Sequence, residues 1–287
     1  MTAKTSRAIA IMLLAMFLFA CMDAVNKDLS RTYAITQILW VRFVFFLGFA
    51  AIVARRRMPI RRALKSRAFW LQTVRSVVLI GEIGTFILAL HFLPLADVHA
   101  LAAITPLLVT ALSVPVLGER VEWQRWAAVG AGFVGVLIIV RPGFIQLDWH
   151  IFIALAGALF FAAYQIMLRV ASRYDPPETT VLYSALVGSI VLTAIGPFSW
   201  TWPDAEAWAL LLFGALLGSL AHFSLTKALE LGEASKLQPY GYTLMVWAAV
   251  IGYFAFDQFP DAFTVAGAAI IAVSGMYAFA RERRAKA

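Results

Sequence analysis

Apolar residues run on for about twenty positions at a time, the length needed to cross hydrocarbon as a helix. These runs recur to the end of the chain, and the polar residues collect in the short gaps between them. Only helices and closed barrels satisfy backbone hydrogen bonds inside a bilayer, and runs this long are helices. The pattern predicts ten spans. The first five are Ala8–Lys27, Ala34–Ala54, Ala68–Phe92, Asp97–Leu117 and Glu122–Val140. After Arg141-Pro142-Gly143 come Trp149–Val170, Glu178–Ile195, Ala205–Leu229, Ser235–Phe256 and Ala262–Ala280. The first span, behind Lys4 and Arg7, imitates a secretory signal with a small residue before Cys21. Phe19 sits badly in a lipoprotein-type cleavage site and nine spans follow, so an uncleaved helix is expected.

Composition agrees with this solvent. Of 287 residues, 62% are hydrophobic and 14% charged, and the mean hydropathy is +0.82. A soluble chain of this size could not hide so much apolar surface behind so few charges. The net charge of +8 would suggest nucleic acid, but its placement reads as topology. Of 24 Lys and Arg, only Lys27, Arg31 and Arg141 fall in one set of loops, and Arg42 and Arg75 lie within spans. The rest lie on the other side, led by Arg55, Arg56, Arg57, Arg61, Arg62, Lys65 and Arg67, which faces anionic lipid. Both termini are therefore expected in the cytoplasm. Trp149, Trp200 and Trp202 are expected at the outer interface, and Trp70, Trp123 and Trp126 at the inner one.

The chain also reads as written twice. Phe19-Ala20, Lys27, Ser30 and Arg31 recur as Phe161-Ala162, Arg169, Ser172 and Arg173, and Ala96 and Glu119 are echoed by Ala234 and Asp257. Residues 1–143 and 144–287 would each hold five spans, an odd number, so the second copy would be inserted upside down. Two inverted five-helix repeats packed face to face enclose a central cavity, open alternately to each side, as in many carriers.

Candidate chemistry sits inside the spans. Pro106 and Pro239 occupy corresponding spans of the two halves, with Gly241 just beyond the second. Proline lacks an amide proton and clashes with the carbonyl four residues back, here Ala102 and Ser235, so kinked gating helices are expected. The ionisable residues are Asp23, Arg42, Arg75, Glu82, His99 and His222. Each Arg or Asp at mid-bilayer costs about 2.5–3.5 kcal/mol on insertion scales, so all should face protein or water. Asp23 and Arg42 match in depth, which suggests an ion pair, serving either as a structural clamp or at the site. Glu82 lies in Gly81-Glu82-Ile83-Gly84, whose glycines would admit a close helix. Its carboxyl would bind a substrate ammonium, carry a proton or serve as a hydrogen-bonded structural acid. Arg75, about two turns away, would reach toward the cytoplasmic interface. Phe17, Phe160, Tyr164, Phe223, Tyr240, Tyr242 and Trp247 supply aromatic surface, against lipid or around cargo. The hydroxyls of Tyr164, Tyr240 and Tyr242, with Gln165 and Gln238, favour the interior because they need partners.

Other chemistries are disfavoured. Gly130-Ala131-Gly132-Phe133-Val134-Gly135 matches a dinucleotide fingerprint only literally; no strand precedes it, and helix packing is expected there and at Gly214-x-x-x-Gly218. There is no Walker A loop, no His or Cys pair with metal spacing and a single cysteine, so no cofactor or metal is expected. An enzyme or receptor would need a catalytic constellation or a sizeable soluble loop.

Thr105-Pro106, Leu117-Gly118-Glu119-Arg120 and the glycine-rich fifth span mark the first half. Leu237-Gln238-Pro239, Tyr242-Thr243 and Val246-Trp247-Ala248 mark the second. With ten spans and a basic C-terminus, these resemble the drug/metabolite transporter superfamily, EamA type, over almost the whole length. Phe256-Asp257 departs from the pattern, standing where Gly-Glu is expected. Within that family the chain looks most like bacterial amino-acid exporters. That resemblance implies a basket-shaped fold, peripheral fifth and tenth helices, and export of aromatic and other neutral amino acids or similar metabolites. The expected protein is a multi-pass carrier of the bacterial inner membrane working by alternating access. The alternative is a proton-coupled exporter of hydrophobic cations. The expected cavity residues are Glu82, His99, Tyr164, Gln165, His222, Gln238, Tyr240 and Trp247. The expected partners are a small-molecule substrate and the bilayer, with no nucleic acid.

Overall fold

A computed structural model describes residues 3–118, 121–141, 148–231, 237 and 240–286, and these form helices with no strand among them. In order they are α1 (Ala3–Leu29), α2 (Ile35–Arg57), a short α3 (Ile60–Ala63), α4 (Phe69–Phe92), α5 (Leu95–Ala102) and α6 (Thr105–Leu117). Then follow α7 (Trp123–Val140), α8 (His150–Ala171), α9 (Pro177–Ile195), α10 (Ala205–Leu231), α11 (Thr243–Phe256) and α12 (Ala262–Lys286). Taking α5 and α6 as one segment, eight spans among the described residues are long and apolar enough to cross a membrane, and two shorter apolar helices lie at 126–140 and 243–256. Many large apolar side chains point outward, among them Ile52, Leu137, Phe254 and Val273. Trp70, Trp123, Trp149 and Trp202 are exposed at or just before helix starts. A chain with this outer surface lives in lipid.

The helix ends follow local chemistry. α4 stops before Pro94, whose missing amide leaves the Leu90 carbonyl without its usual helical donor. The Lys27 ammonium of α1 takes that place, donating to Leu90 O at 2.5 Å and Leu93 O at 2.6 Å. Lys27 is thus buried and caps another helix, where a positive charge suits the carboxyl end of the dipole. α10 and α12 are opened by carboxylate caps: Asp204 accepts from Ala207 N, and Asp261 accepts from Thr264 N.

The fourth expected span is interrupted outright, not merely kinked. The chain turns at Ala103-Ile104 and restarts as α6, with Pro106 in its first turn, where a missing amide does no harm. The Ala102 carbonyl is not left empty, because Thr105 Oγ1 donates to it at 2.7 Å. In the later span Tyr240 and Gly241 are helical, Tyr242 turns, and α11 restarts at Thr243. Thr243 Oγ1 donates to Tyr240 O at 2.6 Å, repeating the same device. Gln238 and Pro239 lie outside the described residues. Gly118 ends α6 at φ 68°, and Asp257 ends α11 at φ 55°.

The most extensive packing joins the first part of the chain to the second. α1 lies on α10 and α4 on α8, α2 faces α9, and α7 faces α12. Secondary contacts pair α1 with α11 and α6 with α8, then α4 with α9 and α2 with α10. Gly135 of α7 and Gly267 of α12 meet so closely that a Cβ on either would strike the other's backbone oxygen. Gly132 similarly admits Leu107, and Gly218 admits Met22, whereas Gly130 faces open space. Gly132 and Gly135 of α7 and Gly214 and Gly218 of α10 thus serve close packing, as small residues do in membranes, and Gly130 does not.

Candidate functional site

Five ionisable side chains from five helices converge in the interior: Asp23 of α1, Arg42 of α2, Glu82 of α4, His99 of α5 and His222 of α10. Asp23 is in direct contact with His99, at 3.3 Å from Oδ2 to Nε2, with both side chains buried. The expected Asp23–Arg42 contact is therefore replaced by Asp23–His99. Arg42 acts on Asp23, Glu82 and His222 through space, without an ion-pair contact.

Arg42, Glu82 and His222 combine two properties. Each is deeply surrounded by protein, yet each keeps accessible surface. Side chains with both properties line a hollow. Around Glu82 the glycines are not used for helix contact: a Cβ on Gly81 would meet nothing within 4 Å, and one on Gly84 only Leu39 at 3.6 Å. The close helix approach comes one turn later, where Gly157 of α8 faces Thr85 and Phe86. Aromatic rings complete the walls: Phe19 meets the His222 ring edge-on at 4.9 Å, and Phe86 meets His99 at 5.3 Å.

The other expected site residues divide between the hollow and its flanks. Tyr164 on α8 is half-buried, with the Arg75 guanidinium 5.3 Å from its ring centroid. It is also electrostatically coupled to Glu82. Gln165 is half-buried beside it. Trp247 packs edge-on against Phe17 at 5.1 Å. Tyr240 and Trp247 belong to an apolar cluster with Ala8, Met12 and Ala228, where α1, α10 and the approach to α11 meet. A Cβ on Gly241 would lie 3.7 Å from Met12 of α1. Tyr242 turns away, its hydroxyl against Gly275 of α12.

Sequence reasoning missed a polar latch at one end of α4. Arg75 does not reach for an interface; it is fully buried. Its Nη2 donates to Gln72 Oε1 at 2.9 Å, Thr180 O at 2.9 Å and Ser184 Oγ at 3.0 Å, and Nε donates to Gln72 Oε1 at 3.1 Å. Gln72 Nε2 in turn donates to Asp175 and Thr180 of the second half. Asp175 accepts from Ser66 Oγ at 2.5 Å and from Arg67 N at 2.8 Å. Burial alone would push the Asp175 carboxyl up, but these donors outweigh it and hold it below the ordinary carboxylate range. The signal available in the sequence was Gln72 three residues before Arg75, one helical turn apart on one face. Among the described residues, no group of His, Cys, Asp and Glu is placed to hold a metal ion.

The family model described as "EamA-like transporter family" matches residues 6–141 and again residues 148–279. Over 271 residues the chain is 26% identical to an S-adenosylmethionine uptake transporter of Rickettsia prowazekii, covering 93% of this chain and 92% of that one. It is 26% identical over 266 residues to a riboflavin transporter of Vibrio cholerae, covering 92% and 89%. A pseudopaline exporter of Pseudomonas aeruginosa is 26% identical over 269 residues, covering 91% and 92%. A solved crystal structure superposes with a TM-score of 0.65 at 18% identity, covering 98% of this chain and 99% of the other. At that identity the likeness is one of fold alone.

Proposed function

The chain belongs to the EamA-like transporter family of the drug/metabolite transporter superfamily and is a small-molecule transporter, not an enzyme; on that premise we propose that it exports amino acids, aromatic and other neutral ones, or similar small metabolites. The proposed site is the bacterial inner membrane, with both termini in the cytoplasm. The proposed mechanism is alternating access by two inverted halves, residues 1–143 and 144–287. Its support is the packing: pairs such as α1 with α10 and α4 with α8 exchange partners when the halves are interchanged.

One observation carries the reading. Arg42, Glu82 and His222 are enclosed by protein but accessible, and they come from both halves. A wet, charged hollow in a lipid-embedded bundle costs stability and is explained by a polar cargo. In this proposal Glu82, His99, Tyr164, Gln165, His222, Tyr240 and Trp247 surround the cargo; Gln238 joins them on sequence grounds. Pro106, Pro239 and Gly241 mark the flexible joints, supported by the helix restarts at Thr105 and Thr243. The test is protein-dependent flux of phenylalanine, tryptophan and threonine in liposomes of known orientation. Flux above empty vesicles is expected for at least one; none for all three would end the amino-acid version.

Glu82 favours a second reading, a proton-coupled exporter of hydrophobic cations. Its carboxyl has accessible surface, and no hydrogen bond to it is found among the described residues. In that case Glu82→Gln abolishes the response of flux to an imposed pH gradient. Retained transport with an intact pH response would dismiss it.

A further inference from the structure

Arg42 and Glu82 are ionisable groups of opposite sign within electrostatic reach of each other, and yet they make no ion pair. Neither the Arg42 guanidinium nor the Glu82 carboxyl has a hydrogen-bond partner among the described residues, although both retain accessible surface. Other ionic groups nearby have neighbours within contact. Asp23 lies 3.3 Å from His99 Nε2, Arg75 donates to Gln72, Thr180 and Ser184, and Lys27 donates to two backbone carbonyls. The remaining polar neighbours are His222, whose ring leans on Phe19, and Tyr164, which lies under Arg75.

An unpaired guanidinium in a protein interior is costly by several kcal/mol, so a mere structural pair would close up. Two accessible side chains that do not touch instead leave a cationic group and a carboxyl free for a cargo. The molecule that meets both has a negative and a positive group close together. We propose that Arg42 and Glu82 are the two poles of a zwitterion site, with Arg42 receiving the α-carboxylate of a free amino acid and Glu82 receiving its α-ammonium. The guanidinium fork matches a carboxylate in two parallel hydrogen bonds, which a lysine could not reproduce. The Glu82 carboxylate accepts from the ammonium. The Phe19 and His222 rings then border the side chain of the cargo. The site therefore selects the amino-acid head by its two charges.

This rests on the transporter reading, but a binding measurement separates the two, since binding requires no flux. Detergent-purified full-length protein is titrated, following its thermal unfolding, with phenylalanine, tryptophan, threonine and S-adenosylmethionine. Phenylalanine and tryptophan are also offered as the amide, which removes the carboxylate, and as the N-acetyl form, which removes the ammonium. At least one of the four amino acids is expected to bind. Each capped form is expected to bind at least about tenfold more weakly than its parent, as loss of one charge-assisted contact implies. Arg42→Gln should erase the preference for parent over amide while keeping the preference over the N-acetyl form. Glu82→Gln should do the reverse, and Arg42→Lys should retain part of the carboxylate preference. Capped forms binding as well as their parents, or both preferences surviving in Arg42→Gln, would overturn the proposal. So would binding of none of the four amino acids, even if flux of another metabolite were found.

Discussion

Single residues in this protein divide into those that hold helices and those left open to cargo, and the division does not follow charge. Lys27 is as ionic as Arg42, but its ammonium is spent on the Leu90 and Leu93 carbonyls, the first of them released by Pro94. Replacing it with methionine keeps the bulk and removes both donors. Lys27→Met is therefore expected to destabilise the protein by about 2–4 kcal/mol, read as a lower unfolding midpoint in detergent. An unchanged midpoint would mean that the two carbonyls are satisfied without it. Asp175 offers a pH-dependent case outside the spans. Burial opposes its charge, but donors from Ser66, Gln72 and the backbone of Arg67 and Ala68 hold its carboxyl below the usual value. A carboxylate depressed in the folded state contributes stability that is complete above its unfolded value, near 3.9. That stability is lost as pH falls through the lower folded value. Asp175→Asn should thus cost most at neutral pH, and its unfolding midpoint should converge on that of the unaltered protein below about pH 4. A constant gap from pH 7 to pH 3 would contradict the assignment.

Elements were legible where lipid writes them. Runs such as Phe69–Phe92 and His150–Ala171 are long, apolar and bounded by polar turns, so their limits were readable to within a few residues. Their rotation was not. In a bilayer the outward face is as apolar as the inward one, so periodicity could not aim Arg75 at Ser184 or Asp23 at His99. Proline pointed to irregular spans, but not to a full break at Ala103-Ile104 with Thr105 returning its hydroxyl to Ala102 O. The departure at Phe256-Asp257 proves to be a backbone matter. Gly118 ends α6 in the left-handed region, where glycine is at ease, while Asp257 ends α11 there with a side chain. Two opposite outcomes are expected. Gly118→Ala should lower stability by about 1 kcal/mol, and Asp257→Gly should raise it by about 0.5–1 kcal/mol. Thermal unfolding of the two variants side by side checks both signs, and a loss of stability in Asp257→Gly would show that its side chain contributes more than the strain costs.

At the scale of the whole molecule, the halves interleave, since α1 and α4 find their largest partners in α10 and α8. Any movement of one half on the other would have to open contacts between them. At the start of α4 these are a polar latch beside the Phe69–Tyr183 ring contact. Ser66, Arg67, Gln72 and Arg75 come from the first half, and Asp175, Thr180 and Ser184 from the second. Tyr183 adds a hydrogen bond to Leu64 O at 2.9 Å. Hydrogen bonds to charged groups such as Arg75 and Asp175 stabilise by about 1.5–3 kcal/mol each, net of water, so they favour closure of this end. If alternating access is the mechanism, a covalent tie here must stop carriage without emptying the site. Cys21 is the single cysteine, so a Cys21→Ser background allows Ser66→Cys and Asp175→Cys, whose side chains touch in the unaltered protein, to be paired cleanly. Oxidation of that variant is expected to abolish flux of the amino acid carried best while leaving its binding within about twofold, and reduction should restore flux. Flux that continues through the oxidised protein would mean that cargo crosses without this end opening, and the two-sided mechanism would have to be given up.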